Sequence, residues 1–152
     1  MSLSIAPIDF NQEIGALLEA EGLPVSDLSC KSDEHQAAVL FCARYDQKIL
    51  GVVGLEYHGA SALLRSLAVA PVARSTGCGR LLVTFAEDRA VERGARSLYL
   101  LTTTAADYFA RLGYGELSRS DAPREIAATP QFSDLCPSSA AFMCKRFNLS
   151  CP

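Results

Sequence analysis

Apolar residues along this chain follow two spacings, and each change of spacing marks a change of element. Leu3, Ile5 and Ile8 predict a short first strand over residues 3–9, after which Asp9 or Asn11 is placed to cap a helix. Ile14, Leu17 and Leu18 share one face of that helix, and Gly22 and Pro24 end it. A weaker helical pattern covers Val25 to Lys31. Ala37–Tyr45 and Ile49–Tyr57 are strand-like runs joined by a turn at Asp46-Gln47, and a strand over 61–70 extends this hairpin into an antiparallel meander.

The apolar run Leu63–Val69 is closed by Pro71, which cannot donate to a sheet ladder. After the loop Arg74-Ser75-Thr76-Gly77-Cys78-Gly79-Arg80, Leu81, Leu82, Phe85, Ala86, Ala90 and Val91 recur at helical spacing, with Gly94 as the stop. Ser97–Thr104 contains the continuous apolar run Leu98–Leu101, suited to a strand buried on both faces, and Ala105–Leu112 is a short helix ended by Gly113. This strand–helix–strand crossover predicts that 63–70 and 97–104 are parallel neighbours. Further strands are expected at 114–119 and 140–146. Between them lie a helical turn over 122–129, a tight corner over 129–132 and the prolines 123, 130 and 137. A connection as long as 121–139 is uncommon unless it is functional. The expected fold is α/β in composition, of the α+β kind. It is one domain over residues 1–152, with a mixed, mostly antiparallel sheet of six to seven strands flanked by about four helices.

The loop at 74–80 carries the first chemistry. The leading N–H groups of a helix lack intrahelical partners and sit at the positive end of its dipole. Glycines let a backbone come close to an anion, and Arg74 and Arg80 add charge. A Gly-x-Gly pair alone also marks ordinary turns. A P-loop would need Lys followed by Ser or Thr after its last glycine, where this chain has Arg80-Leu81. A dinucleotide fingerprint would need a third glycine and an acidic residue about 20 positions on.

Composition narrows the class of partner. The chain has 152 residues, enough to bury a real core, and 49% apolar with 20% charged residues excludes broad disorder. A net charge of −3 argues against nucleic acid or an anionic membrane as the partner. No run approaches the roughly 18 apolar residues of a membrane span, and the first residues lack a basic stretch followed by an apolar one, so a cytoplasmic protein is expected. The cysteines at 30, 42, 78, 136, 144 and 151 form no Cys-x-x-Cys pair, and only His35 and His58 accompany them. No metal site is therefore expected, and free thiols are.

Arg-x-x-Gly-x-Gly after a Leu-x-Val-x-Pro strand resembles motif A of the GNAT superfamily of N-acetyltransferases, whose loop holds the pyrophosphate of acetyl-CoA. Within that superfamily, Leu64–Val69, Leu98–Thr104, Tyr108–Tyr114 and the Gln131-Phe132-x-x-Leu135-Cys136-Pro137-x-Ser139-Ala140 segment look like the arsenic-resistance N-acetyltransferases. More distantly they resemble the acetyltransferase domain of N-acetylglutamate synthase. The resemblance covers about residues 37–147. It implies a GNAT-type sheet with a splayed parallel pair, acetyl-CoA as cosubstrate, and acetylation of the α-amine of a small amino acid or amino-acid-like metabolite. Glutamate and arsinothricin- or phosphinothricin-like compounds are the models for that acceptor. It implies a pyrophosphate site at Arg74, Ser75, Thr76, Gly77, Cys78, Gly79 and Arg80, and backbone groups of Leu67, Ala68 and Val69 for the pantetheine and thioester oxygen. Many relatives place a leaving-group tyrosine where this chain has Phe109, with the tyrosine moved to Tyr108. Neighbours on a helix point about 100° apart, so Tyr108 does not simply take over that role, and Phe109 is expected beside the sulfur.

The reaction needs a neutral amine and a stabilised oxyanion, so Glu56 is the candidate base, directly or through water; the competing reading is a solvated strand-end carboxylate. Arg65, a cation inside an apolar strand, either anchors an acceptor carboxylate, with Ser66 beside it, or pairs internally, for example with Glu56. Thr102 and Thr103, with Thr104, either face the acceptor or cap the helix at 105–112. A small-molecule amine is thus the expected partner, nucleic acid and membrane are not, and a homodimer stays open as the assembly. A CoA-binding regulatory domain without turnover and a protein N-terminal or lysine acetyltransferase remain alternatives. Intact Arg74, Gly77 and Gly79 disfavour a purely structural module.

Overall fold

The computed structural model describes residues 3–23, 38–129, 132 and 140–147. The helical pattern expected at 25–31 and most of the 130–139 connection lie outside the described residues. The seven strands are β1 (Leu3–Ile8), β2 (Val39–Tyr45), β3 (Lys48–His58), β4 (Ser61–Val69), β5 (Ser97–Thr102), β6 (Gly115–Leu117) and β7 (Ala141–Arg146). The helices are α1 (Gln12–Ala20), α2 (Cys78–Glu92), α3 (Ala106–Arg111) and α4 (Arg124–Ala127). The sheet order is β1-β2-β3-β4-β5-β7-β6, with β4–β5 parallel and the neighbouring pairs β1–β2, β2–β3, β5–β7 and β6–β7 antiparallel. That is the mixed sheet expected from the alternation of strands and crossover helix. Among the described residues no helix is long and apolar enough to cross a membrane.

Several boundaries move, each for a local reason. The turn between β2 and β3 holds Asp46 and Gln47 at φ +49° and +69°, the pair of positive values that a two-residue hairpin needs to match the strand twist. Helix α2 starts at Cys78, so Gly79 and Arg80 belong to its first turn and not to the loop; Leu81 N–H already donates to the Gly77 carbonyl at 3.0 Å. Strand β5 stops at Thr102, two residues early, because Thr102 Oγ1 accepts from Ala105 N–H at 3.0 Å and turns the chain toward α3. The strand expected over 114–119 shortens to β6, with a 3-10 turn at Arg119–Asp121 after it.

The chain forms two compact units, one made of residues up to Glu56 together with Leu64–Asp88, the other of Tyr57–Leu63 together with residues from Arg89 on. In the first unit, Asn11 caps α1 by accepting from Ile14 N–H at 2.9 Å, which orients the helix's apolar face. Ile14 and Leu18 then pack with Leu40, Ile49, Val52 and Ala68 into a core edged by Ile8, Phe10, Leu17 and Leu23. Phe41 meets Phe85 of α2 edge to face at 5.1 Å. In the second unit, Leu63, Tyr99, Ile126 and Phe142 form the core, with Tyr99 stacked on Phe142 at 5.6 Å and Phe132 edge-on to Phe142 at 5.2 Å. The β4–β5 ladder joins Ser61, Ala62 and Leu63 to Ser97, Leu98 and Tyr99 and then ends, so the parallel pair splays. Ser61 also donates to Glu125 at 2.9 Å, tying α4 to the start of β4.

Gly51 of β3 sets the spacing of the first unit. A Cβ there would stand 2.9 Å from the Ala68 carbonyl oxygen and 2.9 Å from Leu82 Cδ1, so only glycine lets β3 lie that close to β4 and α2. Gly51→Ala is expected to lower stability by about 1–3 kcal/mol in urea unfolding, the usual cost of overpacking. Gly115→Ala, where an added Cβ meets nothing within 4 Å, should stay within about 0.5 kcal/mol of the parent.

Candidate active site

The candidate site in the first unit joins the far half of β4 to the turn before α2. Pro71–Ala73 makes one 3-10 turn, Ser75 takes φ +64° and Gly77 φ +88°. Gly77 thus occupies the left-handed region where a β-branched residue is strained, although an added Cβ would meet open space. Arg74, Ser75, Thr76, Gly77 and Arg80 are exposed, Gly79 is half-buried and Cys78 is buried. The Thr76 hydroxyl donates to the Ala73 carbonyl and closes the turn. Arg74 is ion-paired with Glu21, the residue that ends α1, and both side chains are solvent-accessible. The first-turn amides of a fifteen-residue helix, a positive-φ glycine and two exposed arginines are the features that suit a surface to an anion.

Cys78 turns the other way. Its sulfur lies 3.4 Å from where a Cβ on Gly51 would stand, and burial pushes its thiol above the ordinary range. The helix N-terminus would favour a thiolate, and desolvation outweighs it. Only its backbone N–H is therefore available to a ligand, and the side chain anchors the helix start on the sheet.

Glu56 and Arg65 are brought together. Glu56 is 4% and Arg65 3% exposed, and Arg65 Nη1 donates to Glu56 Oε2 at 3.0 Å. This is the internal pair considered for Arg65, and it means that Glu56 is a buried carboxylate and not a solvated one. Arg65 Nε also donates to Ser66 Oγ at 3.1 Å. Ser66 is buried and holds φ +57°, a left-handed residue inside a strand. Beyond it, Leu67 and Val69 are half-buried and Ala68 is buried, while Ala70 N–H donates to the Leu50 carbonyl at 2.7 Å, returning the chain to β3.

The remaining candidates belong to the second unit. Thr102 takes the capping role, and Thr103 and Thr104 are exposed. Phe109 is buried, with its ring edge-on to Tyr114 at 5.7 Å, while half-buried Tyr108 contacts Phe109 edge-on at 5.4 Å. The two neighbours therefore differ in burial, as adjacent helical positions should. The sequence reading missed the backbone state of Ser66, the Glu21 partner of Arg74 and the close approach at Gly51. Only the last had a visible signal, a glycine inside an otherwise apolar strand.

With this geometry in place, comparison with known proteins identifies the class. The chain belongs to the acetyltransferase (GNAT) family, which matches it over residues 10–114. An uncharacterized N-acetyltransferase of Chlorobaculum tepidum is 34% identical over 87 residues, covering 57% of this chain and 56% of that protein. N-acetylglutamate synthase from Neisseria gonorrhoeae, solved with coenzyme A and N-acetyl-glutamate, superposes with a TM-score of 0.75 at 21% identity over 96% of this chain. The match spans 35% of that longer chain. A GNAT-family acetyltransferase from Staphylococcus aureus Mu50 gives a TM-score of 0.69 at 20% identity, covering 94% of this chain and 99% of the other. At these identities the structures share the fold.

Because burial raises its pKa, Cys78 is expected to resist alkylation at pH 8 in the native protein and to react once urea unfolds it. The raised value also means that the stability tied to this thiol, complete below the unfolded thiol's pKa, is lost as pH rises toward the folded one. Cys78→Ala should flatten the alkaline arm of a pH–stability curve; an unchanged arm would remove Cys78 as its source.

Proposed function

We propose that the protein is an acetyl-CoA-dependent N-acetyltransferase acting on the α-amine of a small amino acid or amino-acid-like metabolite. The observation that carries the reading is the turn at 74–80, where an exposed glycine at φ +88° and the first amides of α2 stand beside Arg74 and Arg80. These residues fit a pyrophosphate: the backbone is open at Gly77, and the cations are exposed. The acceptor class is supported by the sequence likeness to arsenic-resistance N-acetyltransferases and by the shared fold with N-acetylglutamate synthase. Glutamate and arsinothricin- or phosphinothricin-like amino acids are therefore the first acceptors to test.

Acetyl-CoA supplies an activated thioester. The chain's own residues must orient it, stabilise the oxygen that becomes negative and remove a proton from the acceptor ammonium. Backbone N–H groups of Leu67–Val69 serve the oxygen, because the turn at Ser66 redirects the strand immediately before them. Glu56 receives the proton through water, its own carboxylate being buried and held by Arg65. The amine nitrogen bonds to the acetyl carbon, the C–S bond breaks with its electron pair going to sulfur, and the nitrogen gives up its second proton to the departing thiolate or to solvent. A thiol of that kind has a pKa of about 8.5, so the thiolate leaves tolerably near neutrality without a tyrosine acid.

Calorimetry with CoA and thiol release across an amino-acid panel test the reading. Binding without release from any acceptor would indicate a regulatory CoA domain instead. Gly77→Val is expected to abolish CoA binding and to lower stability by about 1–3 kcal/mol, the cost of holding a β-branched residue at φ +88°, with the fold retained because the added side chain meets open space. Unchanged affinity would remove the pyrophosphate assignment.

Tyr108→Phe is expected to keep most of kcat, with no limb near about pH 10 in the pH–rate profile. A loss of roughly a hundredfold with the fold intact would make Tyr108 the general acid.

A further inference from the structure

We propose that Arg65 is a positioning residue whose side chain tethers Ser66 in its left-handed conformation and thereby aims the amides of Leu67–Val69; the catalytic meaning of that aim rests on the N-acetyltransferase reading above. A serine at φ +57° inside a strand is a state that L-residues avoid, and it persists only where the surroundings over-determine it. Around Ser66 the surroundings are specific. Arg65 Nε donates to Ser66 Oγ at 3.1 Å, and the same guanidinium is fixed by Nη1 on Glu56 Oε2 at 3.0 Å.

The opposing strand accommodates this arrangement. A Cβ at Gly54 would stand 3.1 Å from Arg65 Cγ and 3.2 Å from the Arg65 carbonyl oxygen, so glycine at that position leaves room for both the stem and the backbone of Arg65. Arginine suits the task because its planar guanidinium donates in fixed directions to two acceptors at once, which a lysine ammonium on a flexible stem does not reproduce. A carboxylate, a guanidinium and a hydroxyl thus form one chain that ends on the backbone torsion of residue 66. Arg65 acts through Ser66 and is not assigned contact with the substrate.

The test separates the tether from the overall fold and from the chemistry. Arg65→Met is made together with Glu56→Gln, so that no lone charge stays buried. Amide hydrogen exchange of residues 66–69 is then followed alongside the unfolding midpoint. Exchange at these amides is expected to rise roughly tenfold or more in the double variant relative to the parent protein, while amides of α1 and β2 stay unchanged. Adding Ser66→Gly is expected to bring exchange back to within about threefold, because glycine adopts a positive φ without a tether. Unchanged exchange in the double variant, or no recovery with Ser66→Gly, would overturn the proposal. If the double variant does not fold, Arg65→Lys in the native background carries the same comparison. CoA affinity of the unmodified protein is measured in parallel. Its absence would remove the N-acetyltransferase reading while the exchange data still decide the tether.

Discussion

The buried ion pair between Glu56 and Arg65 is the constraint around which the first unit is built. Taking two charges out of water is costly, and an apolar pair of the same volume often serves stability as well or better. Breaking such a pair by removing one partner, in contrast, costs about 3–5 kcal/mol, because the survivor stays buried without its counter-charge. Each partner therefore depends on the other, and β3 and β4 are held in the arrangement that brings Glu56 and Arg65 within 3.0 Å. The glycine at 54 fits this account, since it gives up strand propensity to make room for the arginine stem.

Packing then carries that constraint to the turn before α2. Gly51 brings the Ala68 carbonyl and Leu82 to within contact of β3, and Cys78 fills the remaining space beside it. The beginning of α2 is thus seated on the same strand that carries Glu56. Helix start and carboxylate share one rigid element, and rigid elements hold functional groups more closely than loops do.

Most of the fold was legible in the sequence because it was written in periods. The crossover from 63 to 104 shows a continuous apolar strand, a helical stripe and a second apolar strand, and Pro71 and Gly94 punctuate it. The site was legible in part. Glycines and arginines at 74–80 mark the turn before α2 as one suited to an anion, and an arginine in an apolar strand announces a buried partner, but the identity of that partner is a long-range fact. Glu56 and Glu21 were equally acidic on paper, and only the pairing of β3 with β4 and the end point of α1 decide which arginine each one meets. The left-handed state of Ser66 had no signal, because neither Gly nor Asn marks the position. The early end of β5 was hidden for a similar reason. Thr102 favours strands by propensity, and its hydroxyl is taken by the next turn's backbone.

The pairing of Arg74 with Glu21 has a kinetic side. Any anion that comes to Arg74 meets a carboxylate already paired with it and competes with that carboxylate for the guanidinium. Such a built-in competitor gives up some affinity and shortens residence time, which is where most tuning of binding occurs. The end of α1 thus bears on the turn at 74–80 through one solvent-accessible carboxylate, which competes for the guanidinium with any anion that comes there.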